Sequence, residues 1–223
     1  MIKAIIFDAF GTLIKVEKGN SAKTVISHIE ASGSSVDEAS FIKAWREYYA
    51  MHTAPECDFM TEREIFTSRI QMFYDRYNVK RNAFADCDAL LAAAFHRKAY
   101  EDVLPALKEL RKHFSILIGS NTDNDILEAV MQSNCISADG IYTSEGLRCY
   151  KPDPRFFSLI LDANRLQPQE VVFVGDNPRD DVSGPKQLGI KTVLIDRNGG
   201  AKDFGQDYTI SDINELIHIL AEV

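Results

Sequence analysis

The sequence lacks any apolar run approaching the about 18 residues needed to cross a membrane. Its first apolar stretch, Ile5-Ile6-Phe7, stops at Asp8, far short of a signal-peptide core, so the chain reads as soluble and cytoplasmic. Basic residues are in deficit: 25 Lys plus Arg face 33 Asp plus Glu, a formal net charge of −8. That deficit argues against a nucleic-acid or anionic-membrane partner, whose binding surfaces are basic. A small anionic substrate, needing only a few local cations, stays open. Cysteine is sparse: Cys57, Cys87, Cys135 and Cys149 form no C-x-x-C pair, and no histidine cluster completes a zinc pattern. A domain of this size needs no disulfide framework, so free thiols are expected. Internal repeats and low-complexity tracts are absent, and nothing in the composition indicates an oligomeric state.

What is present is an α/β pattern. With 223 residues, 45% hydrophobic and 26% charged, the chain suits one large domain or a core with an insert. Short runs rich in Val and Ile occur at Lys3 to Phe7, Phe114 to Gly119, Val171 to Val174 and Lys191 to Ile195. They are too continuous for half-exposed strands and read as buried parallel ones. Helical periodicity follows them at Asn124 to Met131, Pro154 to Leu161 and Ile213 to Leu220. Residues 16–95 differ: they carry no comparable strand, only helical blocks at Ser21 to Ala31, Phe41 to His52, Glu62 to Tyr77 and Cys87 to Ala99. The expectation is a parallel-sheet core of residues 1–15 and 96–223 interrupted by an all-helical insert, residues 16–95.

In an open α/β sheet, ligands bind beyond the carboxyl ends of the strands. Polar residues stand at three such ends, Asp8, Ser120 and Asp176. A fourth, Lys151, follows the extended segment Ile141 to Ser144 and precedes Pro152, which keeps it out of a helix interior. Two carboxylates, a hydroxyl and a cation therefore converge on one edge.

The order Asp8-Ala9-Phe10-Gly11-Thr12, Ser120-Asn121, Lys151-Pro152, then Gly175-Asp176-Asn177-Pro178-Arg179-Asp180-Asp181 resembles the four motifs of the haloacid dehalogenase superfamily of hydrolases. The helical insert falls where that family carries its helical cap. The resemblance implies a Rossmann-like core and assigns roles. Asp8 is the nucleophile that forms an aspartyl intermediate. Thr12 and Ser120 bond the transferring group, helped by backbone N–H groups near Gly11 and Asn121. Lys151 neutralises charge on the nucleophile and intermediate. Asp8, Asp176 and the backbone carbonyl of Phe10 hold Mg²⁺ through oxygen ligands, and Asp181 supports the metal or Lys151.

Position 10 departs from the phosphatase pattern. Family phosphatases place a second Asp there to protonate the leaving alkoxide, and Phe10 exchanges no proton. General acid–base catalysis is worth about 10²–10⁴-fold, or roughly 3–5.5 kcal/mol of barrier. The 2-haloacid dehalogenases of the superfamily carry an aromatic here, since halide departs without a proton. Trp45-Arg46-Glu47 is similar to their substrate-contacting arginine segment, and Asn177 has a counterpart there. Against this, those enzymes are metal-free and replace the acid at Asp176, and their tyrosine six residues after the lysine is Phe157 here. The expectation is a hydrolase using Asp8 and Mg²⁺ on a small phosphomonoester, with a metal-free 2-haloacid dehalogenase as the alternative. A catalytically degenerate binding module is a third possibility, and phosphonate cleavage is remote for want of an identifiable cap lysine.

Overall fold

The computed structural model describes residues 1–16, 20–200 and 202–221. The chain divides into two compact units, one of Met1–Val16 with Arg97–Val223 and one of Glu17–His96.

The first unit is built on six parallel strands: β1 (Ala4–Phe7), β2 (Ser115–Ser120), β3 (Gly140–Thr143), β4 (Val171–Gly175), β5 (Lys191–Ile195) and β6 (Tyr208–Ile210). They lie in the order β3-β2-β1-β4-β5-β6, an α/β fold. Side chains of β1 alternate between two cores. Ile5 and Phe7 join Ile116, Ile118, Val172 and Val174 on one face, while Ala4 and Ile6 join Leu117, Val171 and Phe173 on the other. Both faces are covered, which is why these strands read as unbroken apolar runs. Each buried Val, Leu, Ile or Phe among them contributes roughly 1.5–3 kcal/mol.

In the second unit, α1 (Asn20–Ala31), α2 (Glu38–His52), α3 (Glu62–Arg76) and α4 (Ala83–Ala92) are followed by a 3₁₀ turn at Ala93–His96. Side-chain caps set the starts of α2, α3 and α4. Asp37 accepts from Ser40 N at 2.9 Å, Asn82 accepts from Ala85 N at 3.0 Å, and Thr61 and Glu64 form a reciprocal capping box. Thus α2 begins ahead of Phe41 and α4 ahead of Cys87, where periodicity alone would start them. Regular α4 ends well before Ala99: that residue belongs to the first unit, bridged antiparallel to Ile14, with Lys15 N donating to Lys98 O and Tyr100 N to Leu13 O. Phe41, Trp45 and Phe73 form the aromatic centre of the helical unit, with the guanidinium of buried Arg69 lying 3.7 Å from the Trp45 ring centre.

The remaining helices belong to the first unit: α5 (Val103–Leu110), α6 (Asn124–Ser133), α7 (Ser144–Leu147), α8 (Pro154–Asn164), α9 (Gly184–Lys186) and α10 (Glu215–Ala221). Helix α5 has no counterpart among the sequence expectations. Pro105 looks like a breaker, but it stands in the first turn, where no intrahelical N–H bond is lost. Among the described residues, no helix is long and apolar enough to cross a membrane.

Candidate active site

The register brings the polar strand ends together. Phe7 pairs with Ile118 on one side and Val174 on the other, and Asp8 N donates to Val174 O at 2.8 Å. Asp8, at the end of β1, therefore lies between the end of β2, which supplies Ser120, and the end of β4, which leads into Asp176.

Lys151 organises these groups. Its Nζ donates to Asp8 Oδ1 at 2.8 Å and to Asp181 Oδ1 at 2.7 Å, and Ser120 Oγ donates to Asp8 Oδ1 at 3.2 Å. All four side chains are buried. Burial works against the Lys151 ammonium, but the charges of Asp181 and Asp8 outweigh it and hold its pKa above the ordinary lysine value. Burial also lifts Asp181 above the usual carboxylate range, against the pull of Lys151. An ammonium with two carboxylates in reach keeps its proton, so Lys151 is the fixed charge of the site.

Backbone geometry holds this cluster in place. The Asn121 side chain grips the main chain of Lys151 on both sides, accepting from Lys151 N at 2.8 Å and donating to Lys151 O at 3.1 Å. Asn177 accepts from Arg179 N at 3.0 Å and so caps the π-helical turn Pro178–Ser183 that carries Asp181. Its own N–H donates to Asp181 Oδ2 at 2.9 Å. Gly11 has φ +97°, and a Cβ there would come within 2.5–2.7 Å of the Asp176 carboxylate. The loop after Asp8 needs glycine for both reasons.

One carboxylate oxygen from each of Asp8, Asp176 and Asp181 lies within 4.8 Å of the others. An all-oxygen cluster of this kind suits a hard divalent cation. The hydroxyl of Thr12 is buried without a hydrogen-bond partner, an open donor four residues past Asp8. The half-buried Phe10 packs against the core, and the Arg97 guanidinium lies 5.4 Å from its ring centre. Phe157 is wholly buried against Phe156 and Phe173, part of the core beneath the sheet. Arg46 lies in the helical unit with its side chain exposed on α2.

Three groups near the site had no signal in motif spacing: Arg97, Tyr100 and Arg197. The strand-end rule stops one residue short of Arg197, at Asp196.

The α/β fold and the site together define a hydrolase of haloacid dehalogenase-like type. The model of the haloacid dehalogenase-like hydrolase family matches residues 2–189, and the chain belongs to that family. It is 26% identical to (S)-2-haloacid dehalogenase 4A of Burkholderia cepacia, with 99% of this chain and 96% of the relative covered. To (S)-2-haloacid dehalogenase 1 of a Pseudomonas strain it is 29% identical, covering 98% and 96%. Some enzymes named as phosphatases match shorter stretches. A crystal structure of a dehalogenase shares the fold with a TM-score of 0.75 at 23% identity, covering 99% of this chain and 97% of that one.

Proposed function

We propose that the protein hydrolyses a small 2-haloacid through Asp8. The observation that carries this reading is Phe10: the residue two places after a lysine-held aspartate has no proton to give. One oxygen of the Asp8 carboxylate attacks the carbon bearing the halogen. The C–O bond forms as the carbon–halogen bond breaks, and halide leaves with the bonding pair. Water then cleaves the Asp8 ester, giving a 2-hydroxy acid and a proton and restoring the carboxylate. Lys151 and Ser120 hold Asp8 on one oxygen, leaving the other for attack, and Thr12 offers its hydroxyl to the bound group. The full-length likeness to proteins named as (S)-2-haloacid dehalogenases supports the same chemistry. We take the enzyme as cytoplasmic, acting on a small anion in solution.

The acidic cluster favours a second reading, hydrolysis of a small phosphomonoester with Mg²⁺. Asp8, Asp176 and the carbonyl of Phe10 would hold the ion, which when bound neutralises phosphate charge. Phe10 leaves this reaction without a proton donor for a poor leaving group. It therefore ranks below halide release.

Parallel assays separate the readings: halide release from L-2-chloropropionate and phosphate release from phosphomonoesters, each with Mg²⁺ or EDTA and with an Asp8→Asn control. Halide release that survives EDTA and vanishes in the control is expected. Mg²⁺-dependent phosphate release alone would establish the second reading instead, and silence in every assay would leave a binding module.

A further inference from the structure

We infer that Arg197 is a positioning residue for the nucleophile loop, clamping the two chain segments that leave and re-enter the core unit beside Asp8. This deepens the hydrolase reading above and rests on it. Arg197 follows the end of β5. Its Nη1 pairs with Asp102 Oδ2 at 2.7 Å and its Nη2 donates to Thr12 O at 2.7 Å. Both charged side chains of the pair are more than nine-tenths buried. The guanidinium also lies 4.0 Å from the ring centre of Tyr100, and Asp102 Oδ2 accepts a further bond from Ile213 N at 2.7 Å.

The partners define the role. Thr12 belongs to the outgoing segment, whereas Tyr100 and Asp102 belong to the returning one. Those segments are joined to each other at Ile14 and Ala99 and by Tyr100 N donating to Leu13 O. One planar cation thus ties both to the end of a core strand. A guanidinium suits this because its fixed fork addresses a carbonyl and a carboxylate at once while its face stacks on an aromatic ring, which an ammonium does not reproduce. The loop it fixes carries the unpartnered hydroxyl of Thr12. With the Thr12 carbonyl held, that hydroxyl has its direction set before substrate arrives, the preorganisation that oriented catalysis requires. Burying an ion pair is weak evidence for stability as such. The bond to Thr12 gives this one a task at the site.

The test compares wild type with Arg197→Met and with Asp102→Asn, which keeps the shape and removes the partner charge. Hydrogen exchange of peptides covering residues 8–15 and the steady-state constants for halide or phosphate release, whichever wild type shows, are both measured. Faster exchange in residues 8–15 is expected, with β4 peptides unchanged. The expected kinetic result is kcat lowered about 10- to 100-fold with KM changed far less, partly restored in Arg197→Met by added guanidinium at sub-denaturing concentration. Unchanged exchange in residues 8–15 overturns the inference, as does activity that falls only in step with the folded fraction. If wild type proves inactive, the hydrolase reading fails by itself, and the exchange comparison still decides whether Arg197 holds the loop.

Discussion

Lys151 donates to Asp8 across 2.8 Å with both side chains withdrawn from water, and the same ammonium reaches Asp181 at 2.7 Å. Removing the cation strands two buried carboxylates. Lys151→Met is expected to lower activity about 10²–10³-fold, the range for losing one charge-stabilising donor. It should also cost roughly 3–5 kcal/mol of stability at neutral pH, since breaking a buried pair leaves uncompensated charge. Adding Asp181→Asn should return part of that stability and none of the activity. Thermal melts and halide release on the two variants check this, and a double variant no more stable than the single would refute the coupling.

Phe10→Asp places a carboxylic acid where a leaving alkoxide needs a proton. Phosphate release should rise by about 10²-fold or more, within the about 10²–10⁴-fold range of general acid catalysis, while halide release falls. Equal phosphatase rates in variant and wild type would show that proton supply is not the limiting defect.

Gly11→Ala should inactivate the enzyme with a modest loss of stability. The left-handed conformation costs a residue with a Cβ about 1–2 kcal/mol, and the new methyl displaces the Asp176 carboxylate, which it would otherwise approach within 2.5–2.7 Å. A folded variant retaining wild-type turnover would sink this account of the loop.

In the helical unit, Tyr74 donates its proton to Asp86 at 2.8 Å. His28 Nδ1, 2.6 Å from the Tyr74 oxygen, is therefore the donor in that bond. Burial, helped by the Arg81 charge and opposed by Asp86, lowers the His28 pKa below its ordinary value of 6.5. Below pH 6.5 the unfolded chain then binds more protons than the folded one, so stability is full above that pH and declines as the pH drops through the folded pKa. Melting temperatures of wild type should fall with acidification below pH 6.5. His28→Gln should flatten that slope; an identical slope would remove His28 as its source.

How far the sequence carries depends on which force shapes each part. Strands β1, β2, β4 and β5 are buried on two faces, so their apolar runs show directly, and the polar residue ending each run marks the site edge. Strand β6 has only Ile210 buried and leaves almost no trace in composition. Helix α5 is masked by Pro105, a breaker in every position but the first turn. The ion pair between Lys151 and Asp181 spans 30 residues and was approachable through motif order. By contrast, Arg197 meets Thr12 across 185 residues with no pattern linking them, because the contact follows from the sheet order alone. The position of Arg46 beside Glu47 on an amphipathic helix is as compatible with a solvated face as with a substrate contact, and its side chain is exposed. Trp45, its neighbour in the same segment, is buried core.

Trp45 is the chain's single tryptophan, set beneath Arg69 in the helical unit. The sheet-bearing unit contains none, so tryptophan emission reports on the insert alone, while the turnover proposed for Asp8 requires the sheet. A denaturant titration followed by both signals would reveal whether the insert melts as a separate cooperative block. If emission changes at lower denaturant than the loss of turnover, the two units have distinct stabilities. Coincident curves would make them one.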